Sequence, residues 1–357
     1  MRILIDIGHP AHVHIFKNIV FIMQARKHEF LFTVREGEQE TRLLDSLGFK
    51  YIKIGDKQRG IFKKALGTSS FVWKIYKIAK KFKPDVFLSH GSMYAGLVSF
   101  FLGRPHIALE DSGNMEQLRF SLPLSNVIIS PDVLPADLGN KQIRYCGYHE
   151  LMYLSPKYFS PNASVFRLLD IDKDKPYALI RFVSWEASHD KGKNGLNPNE
   201  KRELVQFLLS RGLKVFISAE RYLLPDLEDY RLDIPFEMMH DALAFATIYV
   251  GEGATLASEA GILGVPSFYV SAIRRCYNDD QGKWGTVFNF HSFNGLLTKI
   301  DEVLSNPGIK ENQALKAKEL IGSKIDVTAF MVWFIENWPE SFKVMKRDPS
   351  FQYSFRQ

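Results

Sequence analysis

The glycine-rich stretch at residues 251–266, GEGATLASEAGILGVP, has the residue types and the spacing of an anion-binding turn. It follows a short apolar run and opens a helix, so Gly251 and Gly253 would let a ligand approach the backbone closely. The first free N–H groups of that helix, near Ala254 and Thr255, would face the anion with the helix dipole behind them. The spacing therefore favours binding of a phosphate or diphosphate.

Glu259 lies one turn further along this predicted helix, where its carboxylate could accept hydrogen bonds from ribose hydroxyls. The stretch is not a Walker loop, because the Gly-Lys-Ser/Thr ending is missing. The alternative interpretation is a tight strand-to-helix turn in which the glycines serve packing only. Spacing alone leaves both interpretations open.

Three histidines come close together in DIGHPAHVHIFKN, residues 6–18. His9 would lie in the loop after the first strand, where open parallel sheets place their sites, and His12 near the start of the next helix. We expect a catalytic role for His9 and a substrate contact for His12. Only Asp6 stands near enough in the sequence to complete a metal site, so no metal is expected. The alternative is a helix cap with surface histidines.

Two further polar stretches follow predicted strands. Residues 181–196, RFVSWEASHDKGKNGL, carry Arg181, His189 and Lys191 in a loop of the kind that supplies side chains to a cleft. Residues 108–117, ALEDSGNMEQ, place two carboxylates at a strand end, as candidates for a general base or for holding acceptor hydroxyls. The alternatives are a solvated loop and an ordinary acidic strand end. The two carboxylates are those of Glu110 and Asp111.

Strands and helices alternate along the chain, which implies parallel strand pairing with helices on both faces of a sheet. The predicted strands are 2–7, 30–34, 51–54, 86–89, 106–109, 127–130, 177–182, 214–218, 248–250 and 267–270. The predicted helices include 13–26, 40–47, 198–211 and 255–263. The sequence therefore predicts an α/β protein with two Rossmann-like, doubly wound domains that face each other across a cleft. The cleft is the expected ligand site.

The pattern restarts after residue 150, which sets the predicted domain boundaries. Residues 1–150 form the N-terminal domain and residues 177–325 the C-terminal domain. Residues 151–176, with three prolines, are expected to connect them. The C-terminal helix in residues 326–357 is expected to pack back on the N-terminal domain.

Composition excludes several classes of protein. The 357 residues include 46 Lys and Arg against 40 Asp and Glu and are 46% hydrophobic, which excludes a disordered chain and suits two domains. Two cysteines exclude a disulfide framework, and no signal peptide or long apolar segment is recognised, so a cytoplasmic location is expected. No G-x-G-x-x-G follows the first strand, which argues against a dehydrogenase, and no nucleic-acid-binding motif is present. We therefore expect no nucleic-acid partner.

A predicted helix at residues 71–83, FVWKIYKIAKKFK, is amphipathic in an unusual way. Trp73 falls on the basic face with the lysines, opposite an apolar face. This pattern predicts a peripheral contact with an anionic membrane surface, that of the inner membrane. The alternative is a helix packed on the sheet with a solvated basic face. The residues of the apolar face are Phe71, Ile75, Ile78, Ala79 and Phe82.

Taken together and in this order, DIGHPAHVHIFKN, RFVSWEASHDKG and GEGATLASEA resemble an uncharacterised prokaryotic family within the GT-B superfamily of nucleotide-sugar enzymes. The resemblance spans nearly the whole chain. Similar enzymes are the peptidoglycan glycosyltransferase that adds N-acetylglucosamine to a lipid-linked acceptor and the hydrolysing UDP-N-acetylglucosamine 2-epimerase. The resemblance implies a metal-independent glycosyltransferase of surface polysaccharide synthesis, without a cofactor. Its substrates would be a UDP-linked sugar, held by the C-terminal domain, and a glycan or lipid-linked acceptor, held by the N-terminal domain.

The resemblance also implies roles for individual residues. Arg181 and Lys191 would offset the charge of the leaving diphosphate, and the base would be His9, Glu110 or Asp111. The residues that match the nucleotide-sugar site are Gly251, Gly253, Ala254, Thr255 and Glu259.

Two departures from the epimerase pattern favour a transferase. His189 occupies a place like that of an epimerase histidine, which implies a catalytic role for it, but Asp190 and Lys191 follow it where the epimerase signature continues differently. The first loop reads Gly8, His9 and Pro10 where the epimerase has Arg-Pro-Glu. The alternatives are a nucleotide-sugar 2-epimerase and a non-catalytic nucleotide-sugar binder.

Overall fold

The structure is a computed structural model that describes residues 1–56, 61–183, 195–219 and 223–356, with their side chains except those of 36, 56, 61–68, 116 and 117. The chain forms two compact units. The first comprises Met1–Tyr153 and Lys324–Gln357, and the second comprises Leu154–Ser323. In the described part of the chain, no helix is both long and apolar enough to cross a membrane.

Each unit is built on one sheet in which neighbouring strands are parallel. The strands of the first sheet are β1 (Arg2–Ile7), β2 (Glu29–Glu36), β3 (Tyr51–Asp56), β4 (Val86–His90), β5 (His106–Leu109), β6 (Val127–Pro131) and β7 (Gln142–Tyr145). Those of the second are β8 (Tyr177–Phe182), β9 (Lys214–Ala219), β10 (Ile248–Gly251), β11 (Ser267–Val270) and β12 (Val287–Phe290). The spatial orders are β3-β2-β1-β4-β5-β6-β7 and β12-β11-β10-β8-β9. The predicted doubly wound α/β class is confirmed.

Helices lie in most of the connections between the parallel strands, and further helices follow the last strand. Those of the first half are α1 (Pro10–Ala25), α2 (Glu38–Ser46), α3 (Ile61–Phe82), α4 (Met93–Leu102), α5 (Met115–Ser121) and α6 (Leu151–Leu154). Those that follow are α7 (Val165–Leu168), α8 (Pro198–Ser210), α9 (Met239–Phe245), α10 (Ala254–Ile262), α11 (Cys276–Trp284), α12 (Leu296–Leu304), α13 (Ile309–Gly322), α14 (Val327–Glu336) and α15 (Glu340–Arg347).

The first unit forms because its central strands are apolar on both faces. β1 is buried from Ile3 to Ile7, with Ile3 paired to Phe30 of β2 on one side and to Val86 of β4 on the other. Continuous apolar strands of this kind are typical of sheets covered by helices on both faces. The C-terminal helix α14 packs against α1 within this unit.

The second unit follows the same logic around β8. Ala178 of β8 pairs with Ile248 of β10 and with Val215 of β9, and all three side chains are buried. Asn197 and Glu200 form a capping box at the start of α8, which fixes where this helix leaves the sheet. Val165 and Phe166, from the stretch expected to be a connector, are buried in the core of this unit.

The order of strands reverses between β1 and β4 in the first sheet and between β8 and β10 in the second. Open α/β sheets bind ligands outside the carboxyl ends of strands at such reversals. Most of the polar stretches singled out from the sequence follow one of these four strands.

Candidate functional site

A buried carboxylate, Asp6, organises the carboxyl edge of the first sheet. Its Oδ1 accepts a hydrogen bond from Thr33 Oγ1 at 2.8 Å. Its Oδ2 accepts one from Ser92 Oγ at 2.5 Å and lies 3.3 Å from Arg35 Nη1. β1, β2 and the start of α4 are thereby tied together by one side chain. Both oxygens of Asp6 are occupied, so its role here is to position its neighbours.

Gly8 leaves room at this edge for the side chain of Arg35, which lies against it. A Cβ at Gly8 would come 1.9 Å from Nη2 of Arg35, so a larger residue would displace the guanidinium. On its other side Arg35 stacks over the ring of Tyr94, 5.0 Å from the ring centroid. The guanidinium is therefore fixed beside the loop that carries the first histidines.

The two histidines of that loop are both held by backbone N–H groups. His9 is the N-cap of α1, and its Nδ1 accepts a hydrogen bond from the Ala11 N–H at 3.2 Å. His12 Nδ1 accepts one from the Gly8 N–H at 3.3 Å. In each neutral ring the proton therefore resides on Nε2, which is then a donor. His9 matches the helix-cap alternative at this point, and its catalytic role stays a prediction.

His12 is held neutral. Burial, with the nearby charges of His90, His9 and Arg35, holds its pKa well below the usual range. Its ring stacks on that of His90 with the centroids 4.8 Å apart. A neutral imidazole with a fixed Nε2–H can donate a hydrogen bond to a substrate oxygen, but it is a poor base.

His90 and Asp111 form an ion pair, and His149 lies on the other oxygen of the same carboxylate. His90 Nε2 donates to Asp111 Oδ1 at 3.1 Å, and His149 Nδ1 lies 3.1 Å from Oδ2. Burial alone would lower the pKa of His90, but the hydrogen bond and charge of Asp111, with the charge of Glu110, raise it to about 9. Burial alone would raise the pKa of Asp111, but His149 and His90 hold it well below its usual range. At neutral pH this is an imidazolium beside a carboxylate.

Glu110 lies next to this pair with one oxygen fixed and the other open. Oε1 accepts hydrogen bonds from the N–H of Ser112 at 2.7 Å, the hydroxyl of Ser112 at 2.5 Å and the N–H of Gly113 at 2.9 Å. Oε2 makes no hydrogen bond to any described residue. Glu110 is 4% exposed, so its carboxylate is held in one orientation in a site with little water. A fixed carboxylate with an open oxygen is suited to accept a proton.

The same edge of the sheet contains a group that could hold a cation. The nearest donor atoms of His90, Asp111 and His149 lie within 4.8 Å of one another. Two imidazoles and a carboxylate are ligands that suit zinc and other divalent transition metals. Because the ion pair already balances the charges of His90 and Asp111, we interpret the group as a proton-holding cluster. The expectation that no metal is used stays a prediction.

In the second unit, the predicted phosphate turn leads from β10 into α10. Gly253 is the N-cap of α10, with no side-chain cap, so the first N–H groups of the helix receive no hydrogen bond from it. A Cβ at Gly253 would meet only ordinary contacts, the nearest being Arg181 Cγ at 3.5 Å. Packing within the protein therefore does not require glycine here, whereas close approach of a ligand would. Binding by Ala254 and Thr255 stays a prediction.

Gly251 has a different reason to be glycine. A Cβ at this position would lie 2.3 Å from Oη of Tyr249, two residues earlier in the same strand. The packing alternative thus accounts for Gly251.

Two side chains expected near the diphosphate are engaged with protein partners. Arg181 donates from Nη1 to Ser218 Oγ at 2.7 Å, on the neighbouring strand β9. Glu259 is 4% exposed, and its Oε1 lies 3.1 Å from Nε2 of His240 on α9. His240 thus positions the Glu259 carboxylate, and contact of Glu259 with a ribose stays a prediction.

A buried glutamate that the sequence analysis did not single out supports the same turn. Glu252 accepts hydrogen bonds from the N–H of Val183 at 2.9 Å and from the N–H of Leu196 at 2.6 Å. It therefore joins β10 to the two ends of the polar stretch after β8. His189 and Lys191 lie in that stretch, outside the described residues.

The structure brings His9, His12, Glu110 and Asp111 to one edge of the first sheet, as expected from their positions after strands. Convergence of His189 with them stays a prediction. The sequence analysis missed partners of these residues because each stands alone in an ordinary setting. Positions after predicted strands could have indicated three of them, Arg35 after 30–34 and His90 and Ser92 after 86–89, whereas nothing in the sequence indicates His149. The missed residues are Arg35, His90, Ser92 and His149.

Comparisons with known proteins give a family match and a related sequence. A family model described as "Protein of unknown function (DUF354)" matches residues 1–304. An uncharacterized protein of Methanocaldococcus jannaschii is 25% identical over 282 residues, which cover 75% of this chain and 81% of that protein.

Two kinds of solved structure share the fold. The UDP-GlcNAc 2-epimerase of Neisseria meningitidis, bound to UDP-GlcNAc, has a TM-score of 0.68 at 13% identity, covering 88% of this chain and 94% of that one. The glycosyltransferase SsfS6 of Streptomyces sp. SF2575 has a TM-score of 0.60 at 16% identity, covering 94% and 100%. At these identities the similarity shows the fold alone, and it confirms the GT-B class expected from the sequence.

Proposed function

The chain belongs to the DUF354 family, and we propose that it is a glycosyltransferase that moves a sugar from a nucleotide diphosphate sugar, UDP-linked, to a hydroxyl of a glycan or lipid-linked acceptor. The acceptor belongs to surface polysaccharide synthesis. Support comes from the GT-B fold, which similar solved structures use both for glycosyl transfer and for 2-epimerisation of UDP-GlcNAc. The choice of reaction rests on the first unit.

The observation that supports the proposal is that the Glu110 carboxylate has one oxygen held by hydrogen bonds and the other open. Transfer needs a base to take the proton of the acceptor hydroxyl as its oxygen attacks the anomeric carbon. Glu110 Oε2 makes no hydrogen bond to a described residue, while Oε1 is held by three. In the proposed step the acceptor O–C bond forms, the bond from the anomeric carbon to the phosphate oxygen breaks, and the proton goes to Glu110 Oε2. The nucleoside diphosphate leaves with the electron pair.

Neighbouring groups of the first unit supply orientation. The neutral His12 donates from Nε2 to an acceptor oxygen, and His90, with His149, holds the pKa of Asp111 well below its usual range, so that this carboxylate is charged at neutral pH. Arg35, which Asp6 and Tyr94 hold in place, lies at the side of the site next to β2.

In the second unit, the start of α10 binds the diphosphate of the donor. Its first N–H groups receive no side-chain cap, and the helix dipole favours an anion there. Arg181 lies next to Gly253 and adds positive charge. These groups offset the charge that develops on the leaving diphosphate.

The test compares Glu110→Gln with the wild-type protein. Incubation with a UDP-sugar panel and acceptor fractions should release UDP from the wild type only when an acceptor is present. Glu110→Gln should lower kcat by roughly 10²-fold or more and leave the dissociation constant of the donor unchanged. Glu340→Gln, on an exposed side chain of α15, is the matched control and should behave as wild type. Full activity of Glu110→Gln would exclude it as the base.

A 2-epimerase is the second candidate, and one observation favours it. Glu110 and the His90–Asp111 pair place acid and base groups side by side, which an epimerase also needs. UDP-N-acetylglucosamine alone distinguishes the two reactions. Epimerisation, or UDP release without an acceptor, would favour the epimerase and overturn the transferase.

A further inference from the structure

One segment of the first unit carries the positive charge of the whole protein. Residues 57–109 contain ten Lys and Arg and a single acid, Asp85, a net charge of +9. The other 304 residues contain 36 Lys and Arg against 39 Asp and Glu, a net charge of −3. The excess of +6 over the full chain therefore comes from this segment alone. The proposed reaction at the carboxyl edge does not use these cations.

The described part of α3 places these charges on an exposed face together with aromatic rings. Trp73 is 57% exposed, and its ring stacks on that of Tyr76 with the centroids 5.8 Å apart. Lys77 Nζ lies 5.0 Å from the centroid of the Trp73 ring, and Lys80 Nζ lies 5.6 Å from that of Tyr76. The opposite face of the helix is buried at Phe71, Ile75 and Ala79, which confirms the predicted orientation.

A second set of exposed rings lies at the end of α4. Phe100 is 69% exposed and Phe101 is 67% exposed. α4 packs beside α3, with Phe71 and Tyr94 in edge-to-face contact at 5.6 Å. Both helices lead back to the starts of paired strands, β4 and β5, so their C-terminal ends lie at the same, amino-terminal edge of the sheet.

We name these residues the basic–aromatic face. It consists of Trp73, Tyr76, Lys77, Lys80, Lys81, Phe100, Phe101 and Arg104. Arg104 follows α4 directly, and its side chain is exposed. Among the described residues, Lys77, Lys80 and Lys81 form no ion pair with a carboxylate. Large exposed rings beside unpaired cations are unusual on a surface that meets only water.

We propose that the basic–aromatic face docks on an anionic lipid surface. Lysines near an anionic leaflet are attracted by its surface potential, and Trp and Phe rings insert at the level of the headgroups. The C-terminal ends of α3 and α4, with Lys80, Lys81, Phe100 and Phe101, lie at the amino-terminal edge of the first sheet, opposite the edge that carries Glu110 and His90. The proposal rests on the first unit and not on the reaction assigned to it.

The experiment is sedimentation of the full-length protein with vesicles of phosphatidylcholine alone or with about 30% phosphatidylserine, at low and high salt. The protein should sediment with the anionic vesicles, and binding should weaken as salt rises. Neutralising Lys77, Lys80 and Lys81 to Gln should weaken binding about a hundredfold, at about a factor of five for each charge. Phe100→Ser with Phe101→Ser should weaken it as well.

Lys343→Gln with Lys346→Gln, on α15, is the matched control and should bind as the wild type does. All changed side chains are exposed, and a melting curve for each variant checks the fold. Equal sedimentation with neutral vesicles, no sedimentation with either, or unchanged binding by the Lys77/Lys80/Lys81 variant would overturn the proposal. Tighter binding of the face to duplex DNA than to anionic vesicles would also overturn it, in favour of a nucleic-acid partner.

Discussion

Removing the Asp111 carboxylate should change how the stability of the first unit depends on pH. In the wild type, Asp111 raises the pKa of His90 to about 9, from an ordinary value of 6.5. A histidine whose pKa is higher in the folded state adds stability that is fully present below pH 6.5 and is lost as the pH rises to 9. At about 1.4 kcal/mol per pKa unit, this stabilisation amounts to about 3 kcal/mol.

Asp111→Asn keeps the shape of the side chain and removes its charge. The variant should be less stable than the wild type at pH 6.5, and the gap in unfolding free energy should narrow by about 3 kcal/mol by pH 9. Urea unfolding, followed by circular dichroism at half-unit pH steps, measures this gap. An NMR titration of His90 gives the pKa directly and should show it well below 9 in the variant.

Asp132→Asn is the matched control, because Asp132 is an exposed carboxylate just after β6. It should show the wild-type dependence on pH. If the gap between Asp111→Asn and the wild type is the same at pH 6.5 and 9, the ion pair does not hold the proton on His90. The assignment of His90 as a cation in the site would then be wrong.

Three further outcomes test other parts of the structure. Gly253→Val should abolish UDP binding, measured by calorimetry, and leave the melting temperature unchanged. Gly251→Ala should lower the melting temperature, because the added Cβ would collide with Tyr249. If Gly253→Val still binds UDP, the assignment of the diphosphate site to this turn is wrong. Burial lowers the pKa of His106 to about 3, so stability should fall as the pH drops below 6.5, and His106→Gln should unfold in urea with a weaker dependence on pH between 6.5 and 5. If the stability of His106→Gln falls with pH as steeply as that of the wild type, groups other than His106 cause the loss of stability. Dialysis against EDTA should leave UDP release unchanged, and lost activity restored by zinc would show that His90, Asp111 and His149 hold a metal.

The central strands could be predicted because burial on both faces requires an apolar run, and these runs are visible in the sequence. The edge strands β7 and β12 were missed for a physical reason. β7 reads QIRY and lies at the edge of its sheet, where the side chains of Gln142 and Arg144 both donate to the carbonyl of Ala136 in the preceding loop instead of packing on a second neighbouring strand. A strand of this kind is stabilised by contacts with residues outside it, so its own sequence does not show an apolar run.

The candidate site was predictable only as far as each residue follows a strand. Glu110 and Asp111 were singled out in this way, but their different roles depend on Ser112, Gly113, His90 and His149, which no spacing rule connects. Gly251 and Gly253 look alike in the sequence. Only the position of the Tyr249 ring separates a glycine needed for packing from one that packing does not require.

The charges at the carboxyl edge of the first sheet leave one acceptor open. Asp6 is offset by Arg35, and Asp111 by His90, each through a direct contact. His12 is neutral, so it offsets no charge. Glu110 makes no direct contact with a cationic side chain among the described residues, and its open Oε2 is where a proton released by a bound hydroxyl would go.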